Sequence, residues 1–305
     1  MKNRRPYIIF NSFSSGGKTS GRVRNILDHI KFFWDDFKFF ITQDPVHAES
    51  IVRFLITNGA ELIIAVGGDG TIQSVVNGFF ENDNLINKDC ALGIISSGTG
   101  QGFAQSLSIP NQTKQQIELI KENRTTCIDV GKIHFNNGNK SRYFINELQA
   151  GIGGAVVKNV SVKLKKYGGK FSFGIGTLTT VFKCKPETMY LIIDDKRVIK
   201  NLLGIVVSNG RYTGGGMQLT PNASLDDGLF DVLFIPAMSY MKRLREFPKI
   251  YSAKHIASEG FECFRAKKIK LFNINGSFLE ADGELISEKC NLIEIVPKCV
   301  KVCST

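Results

Sequence analysis

A glycine-rich run with a single carboxylate follows the apolar segment Leu62–Val66 and carries the clearest chemical signal in this chain. It reads Gly67-Gly68-Asp69-Gly70-Thr71, and apolar residues at helical spacing come after it. Glycines allow backbone N–H groups to approach a ligand closely, and a helix N-terminus offers unpaired N–H donors and partial positive charge. The run is therefore predicted to bind phosphate. Because a carboxylate does not suit a phosphate contact, Asp69 is predicted to hold a metal, orient a donor or accept a proton.

Two further loops rich in glycine and serine follow apolar segments, at residues 11–17 and 97–102. The first precedes a predicted helix, so its N–H groups and hydroxyls could hold phosphate oxygens. It lacks the Gly-x-x-x-x-Gly-Lys-Ser/Thr pattern of a Walker A loop, and taken alone it is better explained as a helix N-cap turn. The predicted phosphate or nucleotide contacts in these two loops are Asn11, Ser12, Ser15, Gly16 and Thr99.

The elements that must position these loops alternate between strand and helix over residues 1–130. Strands are predicted at 7–10, 37–42, 62–66 and 92–96, with amphipathic helices between them. This alternation indicates a Rossmann-like, three-layer α/β domain, a parallel sheet covered by helices on both faces. Ligands bind at the carboxyl ends of the strands in such sheets, which is where all three loops lie.

The pattern changes after residue 130 and predicts a second, β-rich and sandwich-like domain over residues 131–289. Two helices are expected near 154–166 and 238–258, and Asp194-Asp195 is typical of a hairpin turn. Residues 290–305 are expected to pack back on the first domain. The predicted strands are 140–148, 188–193, 203–207, 229–235 and 268–274.

Composition limits the classes of protein to which the chain can belong. It has 305 residues, 43% of them hydrophobic and 22% charged, and no apolar run approaches the ~18–20 residues of a transmembrane helix. Seven cysteines without a Cys-x-x-Cys pair favour reduced thiols in the cytoplasm. The net charge of +11 suits nucleic acid, an anionic membrane or phosphorylated substrates, and no nucleic-acid-binding motif is present.

Six motifs, in order and over nearly the whole chain, resemble those of the diacylglycerol kinase and sphingosine kinase superfamily, especially its soluble bacterial members. The resemblance implies an ATP-binding α/β domain, a β-rich second domain and a nucleotide cleft between them. The activity that it implies is transfer of a phosphoryl group from ATP to a hydroxyl of a membrane lipid. The motifs begin at Gly67, Ser97, Tyr143, Asn209, Ala223 and Ala281.

The resemblance also assigns roles to individual residues. Glu284 would be the general base that accepts the lipid hydroxyl's proton, and Asp69 is matched to an aspartate argued to activate that hydroxyl. Thr42 matches a threonine near the nucleotide. A magnesium ion would be held by the Asp227 carboxylate and the carbonyls of Ser224 and Leu229, with a second magnesium arriving on ATP.

From the residues alone, each of these assignments has a simpler alternative. Asp69 could cap a helix starting at Thr71, and Glu284 could be an exposed acid after a turn at Asp282-Gly283. The segment 224–229 fits a β-turn as well as a metal loop, because Asp-Gly is common in turns.

Basic residues predict reversible docking on an anionic membrane surface, where the lipid substrate would be found. No nucleic-acid partner is expected, and the oligomeric state is left open, with a homodimer as one option. The two basic clusters are Lys158, Lys163, Lys165, Lys166 and Lys170, and Lys18, Arg22 and Arg24.

One loop departs from the bacterial diacylglycerol kinase pattern, Gly-Thr-x-Asn-Asp-Phe-Ala-Arg. Here Gln101, Gly102 and Gln105 replace the asparagine, the aspartate and the arginine. This puts diacylglycerol in doubt as the acceptor and keeps a sphingoid base or a related lipid open. NAD kinases share Gly-Gly-Asp-Gly-Thr and an Asn-Glu pair like Asn146-Glu147, so an NAD kinase is an alternative. A lipid-binding protein without catalytic activity is another.

Overall fold

A computed structural model of the chain describes residues 4–11, 19–96, 101–135, 141–167, 180–181, 183–272 and 278–304. The predicted contacts Ser12, Ser15, Gly16 and Thr99 lie outside the described residues. The same holds for Lys18 and Lys170.

The first part of the chain forms a parallel sheet in the order β6-β3-β1-β2. Helices α1 and α5 pack on one face of this sheet, and α2 and α3 pack on the other. The predicted α/β class is confirmed. The elements are β1 (Tyr7–Asn11), α1 (Thr19–Phe33), β2 (Lys38–Thr42), α2 (Pro45–Thr57), β3 (Leu62–Gly67), α3 (Asp69–Asn77), β4 (Phe80–Glu81), β5 (Asn84–Leu85), β6 (Ala91–Ser96), α4 (Gly102–Ser106) and α5 (Thr113–Glu122).

The second part is β-rich, as predicted, and its strands enclose a separate apolar core. The central run of strands is β9-β11-β10-β14, joined through antiparallel pairs. The elements are β7 (Thr125–Phe135), β8 (Ser141–Phe144), β9 (Glu147–Gly151), α6 (Ile152–Tyr167), β10 (Glu187–Ile193), β11 (Lys196–Ser208), β12 (Phe230–Pro236), α7 (Tyr240–Glu246), the 3-10 helices η1 (Phe247–Ser252) and η2 (Lys254–Ala257), β13 (Glu262–Ala266), β14 (Lys268–Phe272), β15 (Leu279–Ala281), β16 (Glu284–Ile286) and β17 (Cys290–Cys303).

Strands β7 and β17 belong to both parts of the molecule. They pair antiparallel from Cys290 opposite Phe135 to Cys303 opposite Thr125. One end of β17 pairs with β14, and the other end pairs in parallel with β6. β7 runs without a break through the domain boundary predicted near residue 130, so the two parts share a pair of continuous strands.

Several predicted elements differ from those observed. The strand predicted over 203–207 is the end of a longer strand, β11. The strand predicted over 140–148 is two strands, because the backbone N–H groups of residues 145–147 bind the Asp282 carboxylate instead of a neighbouring strand. The helix predicted over 238–258 ends at Glu246 and continues as two 3-10 helices, with Pro248 in the first turn of η1. Helix α3 begins at Asp69 rather than Thr71, with Gly68 as its N-cap.

Candidate active site

The carboxyl ends of four parallel strands lie side by side. In the sheet register Asn11 is opposite Thr42, and Gly67 is opposite Ser96. Thr42 is fully buried, and its hydroxyl donates a hydrogen bond of 3.2 Å to the Phe10 carbonyl. This edge of the sheet is where α/β folds bind ligands. The predicted nucleotide contacts of Asn11 and Thr42 stay predictions.

The glycine run turns β3 directly into α3. A Cβ on Gly67 would lie 2.3 Å from the Thr71 hydroxyl oxygen, so only glycine fits there without displacing the helix. Gly68 caps the helix without a side-chain hydrogen bond. The α3 N-terminus thus opens at the sheet edge with glycine on both sides of Asp69, the geometry expected of a phosphate site.

Asp69 does not cap its own helix; it caps the next one. Its Oδ2 accepts the Gly102 N–H at 3.1 Å, and its Oδ1 accepts the Phe103 N–H at 3.3 Å, both in the first turn of α4. Burial raises the pKa of Asp69 to about 6, although the two N–H donors act to lower it. The carboxyl group is therefore held rigidly and can accept a proton near neutral pH.

Position 102, where the sequence departs from the bacterial diacylglycerol kinase pattern, requires glycine for a steric reason. A Cβ there would lie 2.4 Å from the Tyr212 carbonyl oxygen, a backbone atom that cannot move aside cheaply. The same carbonyl accepts a hydrogen bond of 2.6 Å from the Asn146 Nδ2. An aspartate at position 102, as in the bacterial diacylglycerol kinase pattern, is incompatible with this packing of the 212 segment.

Glu284 reaches the glycine run from the second part of the chain. Asp282 and Gly283 have φ of 49° and 85°, so they form the predicted tight turn between β15 and β16, with Ala281 opposite Glu284. A Cβ on Gly70 would lie 3.5 Å from the Glu284 Oε1. The Glu284 side chain is exposed. An exposed carboxylate thus faces the first turn of α3.

Asp282 orders the backbone around Glu284. Its two carboxylate oxygens accept the N–H groups of Ile145, Asn146 and Glu147 at 2.8–3.0 Å. Burial raises the pKa of Asp282 to about 7, against these three donors. The side chain therefore anchors the Glu284 turn to the start of β9, which is a positioning role.

Glu147 and Glu280 are two buried acids that sequence reasoning did not assign to the site. Burial raises the pKa of each; the Glu147 carboxyl group raises that of Glu280 further, and the Asp282 carboxyl group raises that of Glu147. The Thr213 hydroxyl donates to Glu147, and Glu280 accepts the Gly283 N–H at 2.9 Å. In the sequence, Glu147 stands out only as part of the Asn146-Glu147 pair. No spacing in the sequence links it to Thr213, because their contact arises from the tertiary fold.

The predicted magnesium loop contains oxygen donors, but its carboxylate is already engaged. Asp227 forms an ion pair with Arg265, and its other oxygen accepts the Leu229 N–H at 3.1 Å. The Ser224 hydroxyl donates to Asp226 at 2.7 Å. Magnesium would have to displace Arg265 from Asp227 before that carboxylate could act as a ligand. The Ser224, Asp227 and Leu229 site stays a prediction.

The predicted membrane-facing lysines are described only in part. Lys158 places its Nζ 3.9 Å from the centre of the Phe278 ring, and Arg24 is exposed on α1. The positions of the Lys163, Lys165, Lys166 and Arg22 side chains lie outside the described residues. Among the described helices, none is long and apolar enough to cross a membrane.

Family models match both parts of the chain. The diacylglycerol kinase catalytic domain matches residues 5–133, and the YegS C-terminal NAD kinase beta sandwich-like domain matches residues 146–304. The second match covers more than half of the chain.

Curated relatives carry corresponding names. A "Probable lipid kinase YegS-like" from Klebsiella pneumoniae is 30% identical over 82% of this chain and 81% of that protein. One from Alcanivorax borkumensis is 29% identical over 86% of this chain and 85% of that protein. A "Diacylglycerol kinase" from Mycobacterium tuberculosis is 24% identical over 96% of this chain and 93% of that protein.

The fold is also that of a solved structure. A diacylglycerol kinase from Bacillus anthracis superposes with a TM-score of 0.73 at 19% identity, covering 100% of this chain and 98% of that one. With the two family models matching in tandem, the chain belongs to the diacylglycerol kinase family of lipid kinases and carries a YegS-type C-terminal domain.

Proposed function

We propose that the protein transfers the γ-phosphoryl group of ATP to a hydroxyl of a membrane lipid, which is diacylglycerol, a sphingoid base or a related lipid. The observation that carries this proposal is the approach of Glu284 to Gly70 at the start of α3. This approach places a carboxylate from the second part of the chain beside the predicted phosphate-binding loop of the first part. Phosphoryl transfer needs mainly positioning and charge stabilisation, which this arrangement can supply.

Glu284 is the proposed general base. It is exposed, so a lipid hydroxyl can reach it, and its turn is tied down by the Asp282 hydrogen bonds. When the hydroxyl oxygen attacks the γ-phosphorus, Glu284 takes its proton, the new P–O bond forms, and ADP leaves with the electrons of the old one. A general base of this kind typically contributes ~10²–10⁴-fold to the rate.

The phosphates of ATP are proposed to lie on the N-terminus of α3, against Gly67, Gly68, Gly70 and Thr71. The backbone N–H groups there are the donors, and the helix dipole favours the negative charge. Asp69 keeps α4 in place beside this loop through the amides of Gly102 and Phe103. The metal that accompanies ATP is part of the substrate, and no step here uses the 224–229 loop.

The protein is proposed to work in the cytoplasm and to bind reversibly to anionic membranes, where its lipid substrate resides. The chain's net charge of +11 supports this attraction. A homodimer stays an open proposal.

The decisive experiment incubates purified protein with labelled ATP and either NAD or mixed micelles holding a panel of lipids. Labelled lipid that disappears in Glu284→Ala supports the proposal. Labelled NADP would favour the NAD kinase alternative. Absence of any labelled product, with lipid still bound, would favour a lipid-binding protein without catalytic activity.

A further inference from the structure

An apolar patch projects into solvent from α7 and η1. Most of its large side chains are far more exposed than is usual for their type: Tyr240 is 56% exposed, Met241 76%, Leu244 48% and Tyr251 47%. We call these four residues the α7 patch. Contiguous exposed apolar side chains on a soluble protein commonly mark an interaction surface.

The α7 patch is continuous. Tyr240, Met241 and Leu244 share one face of α7 because they are spaced by three and four residues. Phe247 extends that row by three residues, and its ring packs edge-on against Tyr251 with centres 6.2 Å apart. The patch therefore runs from the helix onto the 3-10 segment as one surface.

The segment under the patch is held by buried polar side chains, one of which, Arg243, also contacts the Tyr240 ring with its guanidinium carbon 5.0 Å from the ring centre. Arg243 is buried and donates to the carbonyls of Val181 and Cys184 at 2.8 and 2.6 Å. Glu246, also buried, accepts the Ser258 hydroxyl at 2.6 Å. These buried contacts fix the orientation of α7, so that Met241 and its neighbours lie on the exposed face.

The charge around the patch is positive. Residues 240–254 include five basic side chains and a single acid, Glu246. One of the basic side chains, Lys242, is neutralised by the exposed Glu259 at 3.2 Å. Glu246 is buried and pairs with Lys249 at 2.9 Å and with Arg245 at 3.5 Å, so it does not face solvent. Arg245 and Lys254 are exposed beside the patch. Aromatic and aliphatic residues bordered by Lys and Arg are typical of surfaces that lie in the membrane interface.

We propose that the α7 patch is the surface with which this protein docks on an anionic lipid bilayer. Tyr240, Met241, Leu244 and Tyr251 enter the headgroup region, and Arg245 and Lys254 contact anionic headgroups. This inference rests on the proposed function in one respect, namely that the phosphoryl acceptor is a membrane lipid.

The docking surface is connected to the candidate site through the chain. In η1, the Ile250 carbonyl accepts the Gln218 N–H at 2.8 Å, and in η2 His255 bonds the Leu219 carbonyl at 3.0 Å. Residues 218 and 219 follow the glycine turn at 214–216, which begins at Thr213, the partner of Glu147. The docked surface and the segment beside Glu147 are therefore one hydrogen-bonded unit.

The test measures co-flotation of the full-length protein with vesicles of phosphatidylglycerol and phosphatidylcholine. The double variant Met241→Asp/Leu244→Asp is expected to bind at least fivefold less protein than the wild type. The matched control, Phe54→Asp, changes an equally exposed apolar residue on α2 and is expected to bind as the wild type does. Arg245→Glu/Lys254→Glu is expected to lose binding to anionic vesicles.

A second measurement guards against a folding defect. The tryptophan fluorescence of the Met241→Trp variant is expected to shift to the blue when anionic vesicles are added, whereas that of the Phe54→Trp variant is not. Equal binding by wild type and Met241→Asp/Leu244→Asp, or no shift in Met241→Trp, would overturn the proposal. So would light scattering that shows a dimer dissociated by the same double variant, because the patch would then contact a second copy.

The binding assay contains no ATP, so its outcome is independent of the kinase proposal. Activity is measured separately on a water-soluble, short-chain diacylglycerol. Vesicle binding that depends on the α7 patch, with no phosphorylation of any lipid, would support the docking surface while refuting the kinase function. Activity on the soluble lipid, together with vesicle binding that is unchanged by substitutions in the α7 patch, would support the kinase function and refute the docking surface.

Discussion

Glu284 owes its position to two residues, Asp282 and Gly283, that adopt positive φ and turn the chain tightly back on itself. Replacing it with glutamine keeps the shape of the side chain and removes the base. Glu284→Gln is expected to lower kcat by ~10²–10⁴-fold with little change in the KM for ATP, because proton transfer is lost and nucleotide contacts are kept. Steady-state assays with lipid micelles measure both.

Glu288→Gln, an exposed acid close by in the chain, is the control and should retain full activity. A Glu284→Gln enzyme with wild-type kcat would exclude Glu284 as the base.

Asp69 makes folding stability depend on pH in a predictable direction. Its folded pKa of about 6 lies above its unfolded value of 3.8, so the folded state holds the proton more tightly between these values. The free energy of unfolding should therefore fall as pH rises from 3.8 to 6, by about 3 kcal/mol for a shift of this size. Urea titrations of wild type and Asp69→Asn should show a shallower fall in the variant. An equal fall of the unfolding free energy with pH in the two proteins would contradict this account.

Asp227 tests the magnesium loop separately from catalysis. If the ion binds there, MgCl₂ should raise the Tm of the nucleotide-free protein above its Tm in KCl of equal ionic strength, because a ligand bound only by the folded state stabilises it. Asp227→Asn should abolish that rise, and Asp226→Asn should keep it. Arg265→Gln should enlarge it, because it frees the Asp227 carboxylate from its ion pair. An identical rise in wild type and Asp227→Asn would exclude the site.

At the scale of elements, α4 and the segment at Tyr212 depend on one glycine. A Cβ at Gly102 would meet the Tyr212 carbonyl oxygen at 2.4 Å, and relieving that overlap must move backbone. Gly102→Ala is therefore expected to cost about 1–3 kcal/mol of stability. Urea denaturation measures it. Gly214→Ala is the matched control, since a Cβ there has nothing within 4 Å, and it should change stability by less than about 0.5 kcal/mol. Equal stability of the two variants would show that the overlap relaxes freely.

The elements that the sequence predicts best are those determined by local pattern. Strands β1, β3 and β6 are runs of buried residues between helices, and each lies within one residue of its prediction. The break between β8 and β9 escaped prediction because it depends on Asp282, which is 136 residues from Asn146 in the chain. Contacts between residues far apart in the chain limit the prediction of the site in the same way. The Asp69 loop is visible as a motif, whereas the Glu147 contact with Thr213 depends on tertiary packing.

At the scale of the whole molecule, the last strand joins the two parts into one unit. Val302 of β17 lies opposite Leu92 of β6 and is fully buried in the core of the α/β part, while Ile293 of the same strand lies in the second core. A loss of packing at Val302 should therefore destabilise both parts together. Val302→Ala is expected to cost about 2 kcal/mol.

Two probes test whether the parts unfold as one. Trp34, the single tryptophan, is buried in the α/β part, whereas far-UV circular dichroism also reports the strands of the second part. Both signals should give one coincident thermal transition, shifted downward to the same extent in Val302→Ala. Val46→Ala, which truncates a valine that is 71% exposed, should leave the transition in place. Separate transitions, with only the tryptophan signal shifted, would mean that β17 does not couple the two cores, and that the approach of Glu284 to Gly70 depends on contacts other than this shared strand.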